Sequence, residues 1–150
     1  GERLNNYLLR AMSRNDLLYK KAVEFLGRDA SPKDEVEDDL ACVDSLESVY
    51  HAAFGEYIGG PIKLVSTIRL YNTLRYHPKF KEVIVPKQGN IIVSVTDLPN
   101  HGHCGIVGKY GILSSDSRSG LWLENYSLVS WKLYFEKRLW LKTHYFEIIN

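Results

Sequence analysis

The chain has 150 residues, 45% hydrophobic and 25% charged, with 19 Lys and Arg against 18 Asp and Glu and a net charge of +1. That is enough chain for one domain with a core of its own, and the near-neutral balance lacks the basic excess of nucleic-acid binders, so no nucleic-acid partner is expected. No apolar run approaches the ~20 residues of a membrane span, and no basic-then-apolar signal segment opens the chain.

Helical periodicity opens the sequence: Leu4, Tyr7, Leu8, Ala11 and Met12, then Leu18, Ala22, Phe25 and Leu26, ended by Gly27. Ser13 to Asp16 is a point where this stretch can divide in two. Residues 1–26 read as an N-terminal helical extension of a single domain covering 1–150. Gly1 is not an initiator residue, so a processed or cut chain is expected. An acidic loop containing Pro32 follows. From Asp39 to Phe54 the spacing predicts an amphipathic helix with Cys42, Leu46, Val49, Tyr50 and Ala53 on one stripe. Asp38 or Asp39 can cap it and Gly55 ends it. A further helix is predicted from a cap near Ser66, with Ile68, Leu70, Tyr71 and Leu74 inside and His77-Pro78 as its stop.

The pattern then changes. "FKEVIVP", "NIIVSVT", "CGIVGK", "GILSSD" and "LWLENY" are short, rich in β-branched or aromatic residues, and punctuated by Pro, Gly and Asn. "SLVSWKLYFEKR" returns to helical spacing, and "THYFEII" closes as a strand. Helices followed by strands predict an α+β fold with a mostly antiparallel sheet. Two cysteines are too few for a disulfide scaffold or a Cys₄ zinc site, although one Cys42–Cys104 bridge is possible on paper.

Cys42 is predicted in the first turn of its helix, where unpaired N–H groups and the helix dipole favour a thiolate and can serve an oxyanion. Asp38, Asp39 and Asp44 oppose that, so a partner base matters. A buried structural cysteine is the plainer alternative. His103 starts a predicted strand, with Gly102 and Gly105 beside it allowing close backbone approach. Facing the start of a packed helix, it could take the Cys42 proton. His101 lies on the same face by alternation, and position at the strand's start favours His103. A third polar group is needed to orient the imidazole. A hairpin through Lys109–Tyr110–Gly111 brings the strand carrying Ser114, Ser115 and Asp116 back beside His103; Ser114 and Asp116 share one face by alternation, and Asp116 is preferred over Ser115 for its charge-assisted bond. Asp116 could instead cap the "SDSRSG" turn.

Cysteine at a helix start, histidine at a strand start and a polar residue at the end of the paired strand make the order a papain-like cysteine hydrolase requires. At these residues the chain resembles the CHAP and NlpC-type cell-wall hydrolases. "CVD" at Cys42 to Asp44 resembles the CHAP nucleophile motif, and "GHCGIVG" at Gly102 to Gly108 is similar to the family's Gly-His-Val-(Gly/Ala)-Ile-Val run. Most of residues 25–148 looks like a phage-associated branch. Asn90 departs from a common aspartate, Cys104 from a common valine, and the third residue from the usual glutamate.

The resemblance implies a papain-like fold and cleavage of a peptidoglycan amide bond, by an endopeptidase or an N-acetylmuramoyl-L-alanine amidase, with peptidoglycan as partner. It implies catalytic Cys42, His103 and Asp116 and no metal or other cofactor. The trailing aromatic residues Trp122 and Tyr126 fit a substrate groove. Two alternatives remain in view. One is a non-catalytic phage structural or wall-binding module on the same fold. The other is a zinc hydrolase using His101, His103 and Asp97 or Asp116. His51, His77 and His144 have no paired ligand spacing and read as structural or surface residues.

Overall fold

Ser13 divides the first helical stretch. Its backbone is extended and its hydroxyl accepts from Asp16 N, which caps α2 (Arg14–Glu24) after α1 (Glu2–Ala11). The structure, a computed structural model, describes residues 1–31 and 38–149. The acidic loop with Pro32 and the capping side chains of Asp38 and Asp39 lie outside the described residues. Helix α3 (Asp38–Phe54) ends where Gly55 turns to φ +77°, and Ser66 caps α4 (Thr67–Tyr76) by accepting from Arg69 N.

Six strands follow: β1 (Phe80–Val83), β2 (Ile91–Ser94), β3 (His103–Val107), β4 (Ile112–Ser115), β5 (Trp122–Tyr126) and β6 (Thr143–Ile148). They form one sheet in the order β1-β6-β2-β3-β4-β5, with every neighbouring pair antiparallel. Between β5 and β6 a short helix α5 (Leu128–Trp131) runs into a π-helix (Lys132–Arg138). The α+β class with an antiparallel sheet is as expected.

Period-2 alternation sends successive strand residues to opposite faces. Ile91, Val93, Cys104, Ile106 and Leu113 join the large core under α2, α3 and α4. Ile92 and Ile112 join a second cluster with Trp131, Phe135, Leu141 and Tyr145 on the α5 side. α3 is buried all round from Cys42 to Glu47 rather than along one stripe, because α2 and the sheet flank it and the 55–64 loop closes over it. The loop is held by Glu47, whose carboxylate accepts from the N–H groups of Ile58 (2.6 Å), Gly59 (3.3 Å) and Leu64 (2.9 Å). Paired acceptors are what make a buried carboxylate tolerable.

Residues 1–26 are not a uniform extension. Leu18 and Ala22 of α2 are fully buried in the main core, and Asn15 Nδ2 donates to Ile148 O of β6 (3.1 Å). Residues 2–7 of α1 are exposed. Two further expectations shift: Ile68 is half-exposed on α4, and the first strand stops at Val83, leaving Ile84 outside the sheet. Among the described residues, no helix is long and apolar enough to cross a membrane.

Candidate active site

Two glycines seat the start of β3. A Cβ on Gly102 would lie 1.9 Å from Ser94 O, and one on Gly105 would lie 2.6 Å from Leu113 O, so only glycine permits the approach to β2 and β4. His103, between them, points to the α5 side. Its ring stacks on Trp131 (centroids 5.3 Å, planes 29° apart) and Phe135 (5.6 Å, 16°), with Tyr126 at 5.8 Å. Trp131 is fixed in turn by its indole N–H, which donates to Ser94 Oγ (2.8 Å). The helix that supplies both stacking rings passes from α to π just after Trp131, a transition often found at functional sites.

Cys42 comes from the opposite layer and is 1% exposed. α3 begins at Asp38, one residue earlier than expected, so Cys42 lies just past the first turn. Its N–H stands opposite Asp38 C=O in the i→i−4 ladder, so it is not an unpaired oxyanion donor. Cys104 and His103 both lie close enough to the Cys42 thiol to act on it. The neighbouring Cys104 is the main reason the Cys42 thiol is held well below the ordinary value; burial opposes the shift and His103 reinforces it. Burial and the neighbouring Cys42 push the Cys104 thiol well up. Neither forms a disulfide. The acidic neighbour Asp44 is compensated: its carboxylate meets Lys63 Nζ at 2.8 Å and the Ser31 hydroxyl at 2.6 Å.

The residue that orients His103 is neither Asp116 nor Ser115. Asp116 accepts from Ser119 N (2.9 Å) and Ser119 Oγ (2.8 Å), bonds that hold its carboxyl below the usual aspartate value. It caps the turn before β5, the role its turn-rich surroundings allowed for. Ser115 shares the Leu113 face by alternation. Ser114 Oγ instead lies 3.0 Å from His103 Nε2. The Ser114 hydroxyl donates to Asn125 Oδ1 (2.6 Å), and Asn125 Nδ2 donates to Ser115 O (3.2 Å). Alternation had already grouped Ser114 with Asp116 at the strand end that returns to His103; preference for a carboxylate passed over it. Nothing in "LWLENY" marked Asn125.

The two groove candidates separate. Trp122 is fully buried in the main core, its indole N–H donating to Ala22 O (3.0 Å), so it has no surface to offer a substrate. Tyr126 is half-buried beside His103 and lines the site. His101 is exposed. His51 stacks on Tyr57, His77 accepts from Lys79 N, and His144 pairs with Glu82 (2.7 Å). Among the described residues, no three of His, Cys, Asp and Glu are grouped so as to hold a metal ion.

Comparison with protein-family models, with curated proteins and with solved structures finds no match to this chain. The chemistry open to the site follows from its own groups. An acidified thiol adjoins an imidazole whose far nitrogen is held by a hydroxyl, an arrangement suited to nucleophilic attack with proton transfer. At 1% exposure the thiol is closed to solvent in this conformation, so a substrate carbonyl reaches it only after neighbouring atoms move.

Proposed function

We propose that the protein is a papain-like cysteine hydrolase that cuts an amide bond of a peptidoglycan stem or cross-bridge peptide. The observation that supports this most is that His103 acts on the Cys42 thiol, lowering it, while Nε2 of the same ring is held by Ser114. The cell-wall substrate comes from the sequence resemblance alone.

In this mechanism His103 takes the thiol proton and the Cys42 sulfur attacks the amide carbonyl carbon. The tetrahedral adduct collapses as the C–N bond breaks, and His103 returns the proton to the departing amine. Water, deprotonated by His103, then attacks the thioester, and the carboxylic acid leaves as the thiol is restored. Tyr126 lines the approach beside His103. No metal or other cofactor enters the sequence of steps.

A second reading is favoured by the closure of the thiol: a non-catalytic phage structural or wall-binding module on the same fold. Purified wall material incubated with wild type and with Cys42→Ala decides between them. Hydrolysis predicts new amine and carboxyl termini in the mass spectrum of the soluble products, present only with wild type. Wall binding by both proteins without new termini supports the module instead.

A further inference from the structure

Asn125 occupies an irregular place in the sheet. Along β4 and β5, Ile112 pairs with Tyr126 but Leu113 pairs with Glu124, so Asn125 is the extra residue of a β-bulge. Bulges re-aim a side chain that regular alternation would place elsewhere. Next to the bulge, a Cβ on Gly111 would sit 2.7 Å from Tyr126 O, so this close approach also requires glycine. The re-aimed amide reaches two groups of β4, Ser115 O and Ser114 Oγ.

The directions of these bonds form a chain with one solution. Ser115 O is a carbonyl and only accepts, so the Asn125 NH₂ must face it and Oδ1 must face Ser114. Oδ1 only accepts, so Ser114 gives it its single hydroxyl proton at 2.6 Å. Ser114 Oγ then has only lone pairs for His103 Nε2, 3.0 Å away, and Nε2 must carry the ring proton. In the neutral imidazole this leaves Nδ1 unprotonated, and Nδ1 is the ring nitrogen that Ser114 does not hold.

We infer that Asn125 is a positioning residue that sets the His103 tautomer through Ser114, leaving Nδ1 as the proton acceptor for the thiol. Its catalytic meaning rests on reading His103 as the base, but the tautomer itself does not. Without the Asn125 acceptor, the Ser114 hydroxyl is released to donate to Nε2. The ring proton then moves to Nδ1 and the base is lost at the face it must serve. A wrong tautomer in a catalytic triad costs up to about 10⁴-fold in rate.

Imidazole ¹⁵N chemical shifts, measured where His103 is neutral, read the tautomer with no need for activity. The wild type is expected to show protonated Nε2 and unprotonated Nδ1. Asn125→Ala is expected to shift the ring towards Nδ1–H and lower kcat/KM by about 10- to 10⁴-fold. Adding Asn125→Ala to Ser114→Ala should change neither reading further, since the relay is already cut. A predominantly Nδ1–H ring in wild type overturns the inference whether or not any variant folds, and so does an unchanged tautomer in a folded Asn125→Ala. The expected tautomer in a protein that hydrolyses nothing leaves this inference standing and removes the proposed function.

Discussion

The two faces of the sheet are built differently, and the candidate site draws one half from each. Beneath α2, α3 and α4 lies the large core, and Cys42 and Cys104 are two of its members. Across the sheet the cluster is smaller and its largest members are aromatic, and His103 is stacked there on Trp131 and Phe135. The thiol is held by close packing against a second thiol. The imidazole is held by stacking and by a directed chain of hydrogen bonds. The comparison teaches that the thiol and the imidazole are held by different means: changes beside Cys104 on the helix face should act mainly on when the thiol ionises, and changes on the other face mainly on how the imidazole is oriented.

The largest expected effect joins the two halves. Cys42→Ala should abolish hydrolysis of purified wall material at a stability cost on the order of 1 kcal/mol, because little volume is removed. Urea unfolding run beside the lytic assay checks both points. Cys42→Ser should be nearly as inactive, since a hydroxyl is far less acidic than a thiol.

Next comes the far face. Ser114→Ala should lower kcat/KM by roughly 10- to 10³-fold as the ring loses its orienting partner. Asp116→Asn, which touches only its own turn, should keep the wild-type rate and lose no more than about 1 kcal/mol of stability. A crippled Asp116→Asn beside an unaffected Ser114→Ala would reverse the assignment of the third residue.

The helix face supplies a smaller and different effect. Removing the Cys104 thiol removes the main influence that lowers the Cys42 value, so Cys104→Ala should move thiolate formation to higher pH. Ultraviolet thiolate absorbance against pH reads this directly, and the acidic limb of the rate profile should rise with it. A titration that stays in place would mean that Cys104 is only packing.

The smallest effect lies away from the site. Burial raises the Glu47 value above that of ordinary glutamate despite three N–H donors. Its native pKa exceeds the unfolded one, so its contribution to stability is fully present below the unfolded value. That contribution is lost as pH rises through the native value. Glu47→Gln cannot titrate and loses an acceptor, leaving an N–H short of a partner at a cost of about 1–3 kcal/mol. The urea-measured gap between wild type and Glu47→Gln should be widest at acid pH and narrow as pH rises.

Much of this architecture was legible because local signals agreed with the tertiary structure. Ser13, Gly55 and Ser66 punctuate the helices where the sequence places them, and Gly102 and Gly105 mark the close approaches on either side of His103. The same order of elements puts His103 near enough to Cys42 to act on its thiol. What escaped was set by geometry that no spacing encodes. Asn125 reaches Ser114 only because a bulge turns it there, and a bulge leaves no mark in "LWLENY". Trp122 reads like any exposed aromatic near a site, but α2 packs over it and takes its indole proton. Cys42 sits a residue deeper than the expected start at Asp39 implied, because the helix begins at Asp38.

The most direct test of the Cys42–His103 pair is to look for the thioester it should form. Wild-type protein mixed with a soluble wall peptide, quenched in acid within the first turnover and digested, should yield a Cys42 peptide carrying the acyl fragment. His103→Ala treated in the same way should yield none. Cleavage of the peptide with no adduct on Cys42, or an adduct that forms equally well without His103, would contradict the account.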